Sequence, residues 1–391
     1  MASAERHDVV VIGGGQAGLA MSAVLRERGR EHVVLERRRV AERWQTERWD
    51  SLRFQFPNWA LELPGQTYKG DAPDDFAHYR EIVAFLQEYA AGAPVREHTE
   101  VVGLAEDGDG FVVSLKEGAL RARQVVVATG PFHRPAFPRF DIPPSVLQTD
   151  PTRYRNPADL PEGAVLVVGS GASGFQIADE LRMAGRRVFL SVSRHKRVPR
   201  RFRGKDMYWW LGELGRWTQT IDSFPDRVYP PSTVVTGVNG GYDVDVRRLA
   251  ADGVTVVGRV LGASGDTLAI RPNANQILDE ADQSFDAFMK AACELLGEQP
   301  EEVAHLPGVE EVESLDLSGI GTIIWATGYA YDYGWLKMSV FDGRGRPVQQ
   351  RGVTPRPGLY FLGLHWMHTF KSGLLAGVGA DAEYVADQMS R

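Results

Sequence analysis

Three groups of residues have types and spacings that can do chemistry. Gly13-x-Gly15-x-x-Gly18 follows an apolar run and opens a helical pattern, and Gly169-x-Gly171-x-x-Gly174 repeats the arrangement further along. Glycines at this spacing serve a tight turn, close approach of backbone to a pyrophosphate, and packing of helix on strand. Amide N–H groups at the helix start then meet phosphate oxygens. The third group lies at the end of the second strand in each unit. Glu36 ends the strand after the first turn, where a carboxylate accepts from ribose hydroxyls. Ser193-Arg194-His195-Lys196-Arg197 ends the strand after the second, where cations suit a 2′-phosphate. The spacing predicts two dinucleotide sites, the second taking NADPH in preference to NADH. A basic surface loop that binds nothing is the alternative for 193–197.

The elements that must position these residues are legible from pattern. Residues 9–12 read as a buried parallel strand, 19–28 as a helix stopped by Gly29, and 32–35 as the next strand. In the second unit 164–168 is a strand, 175–183 a helix stopped by Gly185, and 187–192 a strand. Between the units, 74–89 has helical spacing, and 101–104, 110–115 and 120–123 alternate as a small antiparallel sheet. Residues 124–130 form a buried strand ending in Ala128-Thr129-Gly130. Later, 249–261 and 267–271 read as strands and 281–296 as a helix. Residues 320–326 are a strand running into Thr327-Gly328-Tyr329, and 374–389 the last helix. The stretch 199–231 stands apart, with Arg200, Arg201 and Arg203 ahead of Tyr208, Trp209, Trp210 and Trp217. It reads as an insert packed over a cleft; a plain core helix and a membrane-facing patch are the alternatives.

Composition sets the outer bounds. A chain of 391 residues has room for two domains, and 43% hydrophobic with 24% charged residues is a globular balance. A net charge of −7 argues against a broad nucleic-acid surface. The one cysteine, Cys293, allows neither an internal disulfide nor a CxxC redox pair. No metal site is expected. No run reaches the roughly 18 apolar residues of a membrane span. The start ahead of the first strand is short and polar, so a signal peptide is not expected and a cytoplasmic location is. Oligomeric state, a homodimer among the options, is not legible.

Two dinucleotide units with an Ala-Thr-Gly strand end after each, at 128–130 and 326–328, resemble the two-dinucleotide-binding-domain flavoproteins. The resemblance implies an α/β fold of two Rossmann-like dinucleotide-binding domains, the NADPH domain inserted in the FAD domain. The first part of the FAD domain is then 1–158. The NADPH domain is 159–318, with the aromatic helical insert near 200–235, and the FAD domain resumes over 319–391. Within these proteins the chain is similar to the flavin-containing monooxygenase group (class B flavoprotein monooxygenases). Gly130-Pro-Phe-His-Arg-Pro resembles the linker out of the first domain, 148–157 the crossover ending near Tyr154, and Trp325-Ala-Thr-Gly-Tyr329 the return. The chain departs from the group at Phe140, which lacks a following glycine, at Asp150, which stands where a histidine is expected, and around Trp44, which lacks a Gly-Gly pair.

By the same resemblance FAD is held by Gly13, Gly15, Gln16, Ala17, Gly18, Glu36, Arg37, Trp44, Val101, Ala128, Thr129, Gly130, Gly363 and Leu374. NADPH is held by Gly169, Ser170, Gly171, Ala172, Ser173, Gly174, Ser193, Arg194 and Lys196, with Ala326, Thr327 and Gly328 beside it. The implied reaction has NADPH reduce FAD, and the reduced flavin form a C4a-(hydro)peroxide with O2. One oxygen atom then passes to a small lipophilic aromatic or heteroatom-containing substrate. Such a site must be dry and must offer hydrogen-bond donors. Asn58, or Gln55, in the loop 54–59 is the expected catalytic amide, with a turn cap beside Pro57 as the alternative. The start of the last helix, 372–375, is expected to aim amides at the flavin N1–C2=O2 edge. An NADPH-dependent flavin reductase or oxidase without substrate oxygenation is the competing activity, and a non-catalytic nucleotide sensor a third reading.

Overall fold

A computed structural model describes residues 5–224 and 228–389. The first sheet is built from the N-terminal unit. Strand β1 (Glu5–Ile12) leads into α1 (Gln16–Glu27), and β2 (His32–Leu35) returns parallel to β1, pairing Val9 with His32 and Ile12 with Leu35. A short α2 (Glu42–Thr46), a loop and α3 (Tyr79–Ala90) follow, then β3 (Val95–Arg96), β4 (Val101–Asp107), β5 (Gly110–Leu115) and β6 (Ala119–Val127). The spatial order is β3-β2-β1-β6-β5-β4. Strand β6 unites the two strands expected at 120–123 and 124–130. Its first half pairs antiparallel with β5, and it runs parallel to β1 from Leu120 to Val127.

The second sheet is parallel throughout. It takes β7 (Leu147–Thr149), then β8 (Ala164–Val168), which α4 (Ala172–Met183) links to β9 (Val188–Ser191). Helices α5 (Met207–Glu213) and α6 (Val246–Ala251) precede β10 (Thr255–Val257). A small antiparallel sheet joins β11 (Val260–Ser264), β12 (Thr267–Ile270) and, after α7 (Ala274–Leu296), β13 (Ser314–Asp316). Strand β14 (Ile320–Trp325) then enters the second sheet between β7 and β8, giving the order β7-β14-β8-β9-β10. Alternation decides its two faces. Val165, Val167 and Leu190 pack on Phe175 and Ile177 of α4, while Leu166, Val168 and Phe189 pack on Leu268 and Ile270 of the small sheet. Finally β15 (Leu359–Phe361) rejoins the first sheet beside β6, and α8 (Leu375–Met389) packs on α1.

The sheets divide the chain differently from the expected 158/159 and 318/319 edges. Both β7 and β14 belong to the second sheet, and the chain returns to the first sheet at Leu336, which bridges Leu104 of β4, before β15 joins β6. Two other expectations are corrected. The strand expected over 249–261 begins as the end of α6: the Asp245 carboxylate caps this helix by accepting from the Arg247 amide at 2.8 Å. The chain then turns at Gly253 (φ +100°) before β10. Short apolar runs do not distinguish helix from strand, and here the cap decides. The helix expected from 74 begins at Tyr79. A capping box starts it there, the His78 ring accepting from Arg80 N (3.3 Å) and the Glu81 carboxylate from His78 N (2.6 Å). Residues 72–77 instead bond to the loop 54–59, as in Phe54 N to Ala77 O at 2.7 Å and Asn58 N to Asp75 O at 2.8 Å.

Candidate functional site

The two glycine turns have one geometry. Gly13 has φ +114° and Gly169 φ +108°. A Cβ on Gly13 would stand 2.6 Å from Ala128 O, and one on Gly169 2.4 Å from Ala326 O. A Cβ on Gly18 or Gly174 would lie 1.8 Å from the carbonyl oxygen of Gly13 or Gly169. The protein itself therefore forbids side chains at the outer glycines. The middle ones differ: nothing lies within 4 Å of a Cβ built on Gly15 or Gly171, and each is the N-cap of its helix in extended conformation. The space a side chain would fill is open in front of the helix's first amides, where a diphosphate fits.

Around the first turn, Glu36 is held by both oxygens. Its Oε2 accepts from Gly14 N at 2.7 Å and its Oε1 from Arg38 N at 2.9 Å. Arg37 is exposed beside it. Thr99 N donates to Glu36 O and so brings the chain to half-buried Val101 at the start of β4. Ala128 N donates to Ile12 O at 2.8 Å, and the Thr129 hydroxyl lies 3.1 Å from His133 Nε2. Gly130 has φ +75°. Gly363 meets this unit from the other side, for its Cβ would fall 2.5 Å from that of Ala17. Gln16 bridges two further elements: its Oε1 accepts from Trp44 Nε1 at 3.3 Å and its Nε2 donates to Gly373 O at 2.8 Å.

The second turn is tied to the loop after β9 by a knot that residue spacing did not reveal. The buried Ser170 hydroxyl donates to Ser193 O at 2.9 Å and accepts from Ser193 N at 3.0 Å. His195, also buried, brings Nδ1 to 2.9 Å from Ser193 O and 3.1 Å from Ser170 Oγ. Burial pushes the His195 pKa down. Ala172 and Ser173 supply the first amides of α4. The three cations part company. Arg194 is exposed and pairs with Glu280 at 3.3 Å. Lys196 is half-buried, and burial lowers its ammonium pKa. Arg197, weighed as a clamp for the 2′-phosphate, is committed elsewhere: it pairs with Asp282 at 2.6 Å and Asp245 at 3.1 Å and lies over Phe285.

The links between the sheets are also paired. Arg134–Pro135 runs antiparallel to Tyr329–Ala330. The Thr327 hydroxyl donates to Ala136 O, and Ala136 N to Gly328 O at 2.9 Å. Asp332 N donates to His133 Nδ1 at 2.8 Å, so the ring donates from Nε2 to Thr129. Asp150 caps a turn in the crossover, accepting from the Thr152 amide and hydroxyl at 2.8 and 2.6 Å. Tyr154 donates to Glu180 of α4 at 2.7 Å.

The cleft wall holds the loop 54–59 and the start of the last helix. Asn58 is buried; its Nδ2 donates one hydrogen to Ala72 O at 2.9 Å and keeps a second, while Oδ1 has no partner among the described residues. Gln55 takes part through its carbonyl, which accepts from Arg200 Nη1 at 2.8 Å. The last helix starts later than expected. A 3-10 turn, Phe370–Gly373, precedes it, and the Leu374 amide donates to Lys371 O at 2.8 Å. Leu374 thus offers no free amide, and its carbonyl accepts from Gly377 and Val378 as the cap of α8.

The insert crosses this wall as a strap. Buried Arg200 pairs with Asp206 at 2.6 Å and lies 4.3 Å over Phe76. Tyr208 packs on Phe56, Trp59 and Trp217 with ring centroids 4.4, 5.4 and 4.5 Å away. Ile221 N donates to His368 O at 2.9 Å, and Phe224 and Tyr229 pack on Trp366 and His365. Residues 225–227 of the expected insert lie outside the described residues. Burial alone pushes the His365 pKa down to about 4. No helix among the described residues is long and apolar enough to cross a membrane.

Comparison with known proteins adds to this geometry. A family model described as pyridine nucleotide-disulphide oxidoreductase matches residues 10–211. An oxidoreductase named CzcO-like from Geobacillus kaustophilus is 34% identical, covering 98% of each chain. The indole-3-pyruvate monooxygenase YUCCA6 of Arabidopsis thaliana is 31% identical over 47% of each chain. Among solved structures, a flavin-containing monooxygenase from Stenotrophomonas maltophilia matches with a TM-score of 0.68 at 20% identity, covering 99% of this chain and 98% of its own.

Proposed function

The chain belongs to the pyridine nucleotide-disulphide oxidoreductase family, in a flavin-monooxygenase-like branch, and from this we propose that it is an NADPH-dependent FAD monooxygenase. The proposed reaction inserts one oxygen atom from O2 into a small lipophilic aromatic or heteroatom-containing molecule. The observation that carries the reading is the duplicated turn, identical in both units and open only at Gly15 and Gly171. In the reading FAD takes the first turn, with Glu36 at its ribose, and NADPH the second, with Arg194 and Lys196 at the 2′-phosphate. Bound FAD supplies hydride acceptance from the nicotinamide and activation of oxygen once reduced.

The chain's own part is to bind, orient and exclude water. Each helix N-terminus places partial positive charge at a diphosphate. Gln16 fixes Trp44 and Gly373 relative to the first turn. The strap and the loop 54–59 form an aromatic wall of Phe56, Trp59, Tyr208 and Trp217, which supports a lipophilic aromatic substrate and a dry site. The single cysteine lies buried in α7, so no redox disulfide forms within the chain.

The competing reductase or oxidase reading uses the same two turns without oxygenating a substrate, and Asn58 spends one of its two amide hydrogens on Ala72 O. The deciding experiment supplies the purified holoenzyme with NADPH in air, with panels of amines, sulfides and ketones. Oxygenated product formed in step with NADPH consumed supports the monooxygenase. Recovery of all electrons as hydrogen peroxide, whatever is supplied, installs the oxidase instead.

A further inference from the structure

Arg48 is a cation without an anion. Its neighbours Arg38, Arg39 and Arg43 are matched to glutamates, the last two at 2.8 and 2.6 Å. Among the described residues Arg48 forms no ion pair. One Nη donates to its neighbour's carbonyl, Glu47 O, at 2.9 Å, and the guanidinium lies 4.5 Å over the Trp44 ring. Arg48 is half-buried, and burial disfavours its charge. A guanidinium has five donors and stays ionised, so most of its hydrogen-bonding capacity is unspent here. A partly desolvated charge left so gains from an anion that completes the site.

Its position says which anion. Trp44 presents its indole edge to Gln16 at the first turn and its face to Arg48. The indole therefore stands between the guanidinium and the first turn. The Trp44 ring also packs against the same core of the second sheet as Ala326, against which the second turn is folded. Arg48 thus lies over a ring that packs on the cores of both domains. We propose that Arg48 binds the diphosphate of the nicotinamide dinucleotide where that molecule crosses between the domains. The fork of a guanidinium matches two phosphate oxygens as an ammonium does not. This rests on the reading that the second turn takes NADPH.

The experiment measures binding to the FAD-loaded protein by calorimetry, with NADP⁺ and with adenosine 2′-phosphate, which lacks the diphosphate. Arg48→Gln is expected to weaken NADP⁺ about tenfold or more while leaving adenosine 2′-phosphate and FAD content unchanged. Arg48→Lys, which keeps charge but not the fork, is expected to fall between. The melting temperature of Arg48→Gln should be no lower than the parent's, since no ion pair is lost. Unchanged NADP⁺ affinity overturns the proposal, as does loss of FAD with NADP⁺ binding intact, which would give Arg48 to the first site. If the parent protein itself binds no NADP⁺, the reading of the second turn falls first and takes this inference with it.

Discussion

The Gly18 Cα and the Gly13 carbonyl oxygen leave no room for a side chain between them: a Cβ on Gly18 would lie 1.8 Å from that oxygen. Three residues earlier, a Cβ on Gly15 meets nothing within 4 Å. Two glycines of one motif thus have different reasons to be glycine. Gly18→Ala is expected to destabilise the fold by about 3 kcal/mol, at the upper end of overpacking. Gly15→Ala is expected to fold normally and to lose FAD, because its methyl stands where the diphosphate would. Thermal melts and the flavin absorbance of the purified variants separate the two. A Gly15→Ala protein that retains its flavin would refute the assignment of the first turn.

The basic loop divides in the same way. Arg194→Ala should raise the KM for NADPH roughly tenfold and spare NADH, the effect of one charge-assisted phosphate contact. Arg197→Ala should instead lower stability by about 3 kcal/mol, because it leaves the Asp245 carboxylate without its guanidinium and Asp282 with Arg247 alone. Equal loss of NADPH and NADH in Arg194→Ala, without a change in melting, would mean that the loop reads something other than the 2′-phosphate.

The strap should govern coupling. Arg200→Met breaks a buried pair with Asp206 and the bond to Gln55 O, and is expected to raise the fraction of NADPH electrons lost as hydrogen peroxide. Tyr208→Phe is the contrasting case. Its hydroxyl is buried with no partner among the described residues, so its removal should leave the melting temperature unchanged or raised. A clear fall in melting for Tyr208→Phe would show that the hydroxyl has a partner in solution.

Acid should weaken the fold through its neutral histidines. Burial lowers the pKa of His133, His195 and His365, the last to about 4 from 6.5. Between those two values the unfolded chain binds the proton at His365 and the folded one does not. Stability is therefore complete above pH 6.5 and is lost as pH falls toward 4. His365→Asn should flatten this acid limb in melting curves recorded across that window. An unchanged slope would place His365 in contact with water.

The strand-turn-helix units, the buried strands and the doubling of the motif were legible in the chain alone, because each rests on contacts between residues close in sequence. An apolar run into Gly13 and Gly15 has few conformations open to it, and Glu36 follows from the same local geometry. The start of α3 and the helical beginning of 249–261 are set locally, by caps at His78 and Asp245 that outweigh apolar spacing. Other features depended on distant partners. Whether Arg197 is free depends on Asp245 and Asp282, how the Asn58 amide is oriented depends on Ala72, and where Leu374 aims its amide depends on the turn before it. The strap's seat on His368 and Gln55, and the packing of Trp44 beneath Arg48 against both cores, exist only once both domains are assembled. Residue type and spacing determine which backbone shapes form and which groups carry charge. Which of those groups remain available to a ligand is decided by desolvation and by long-range hydrogen-bond partners, and these are properties of the tertiary structure.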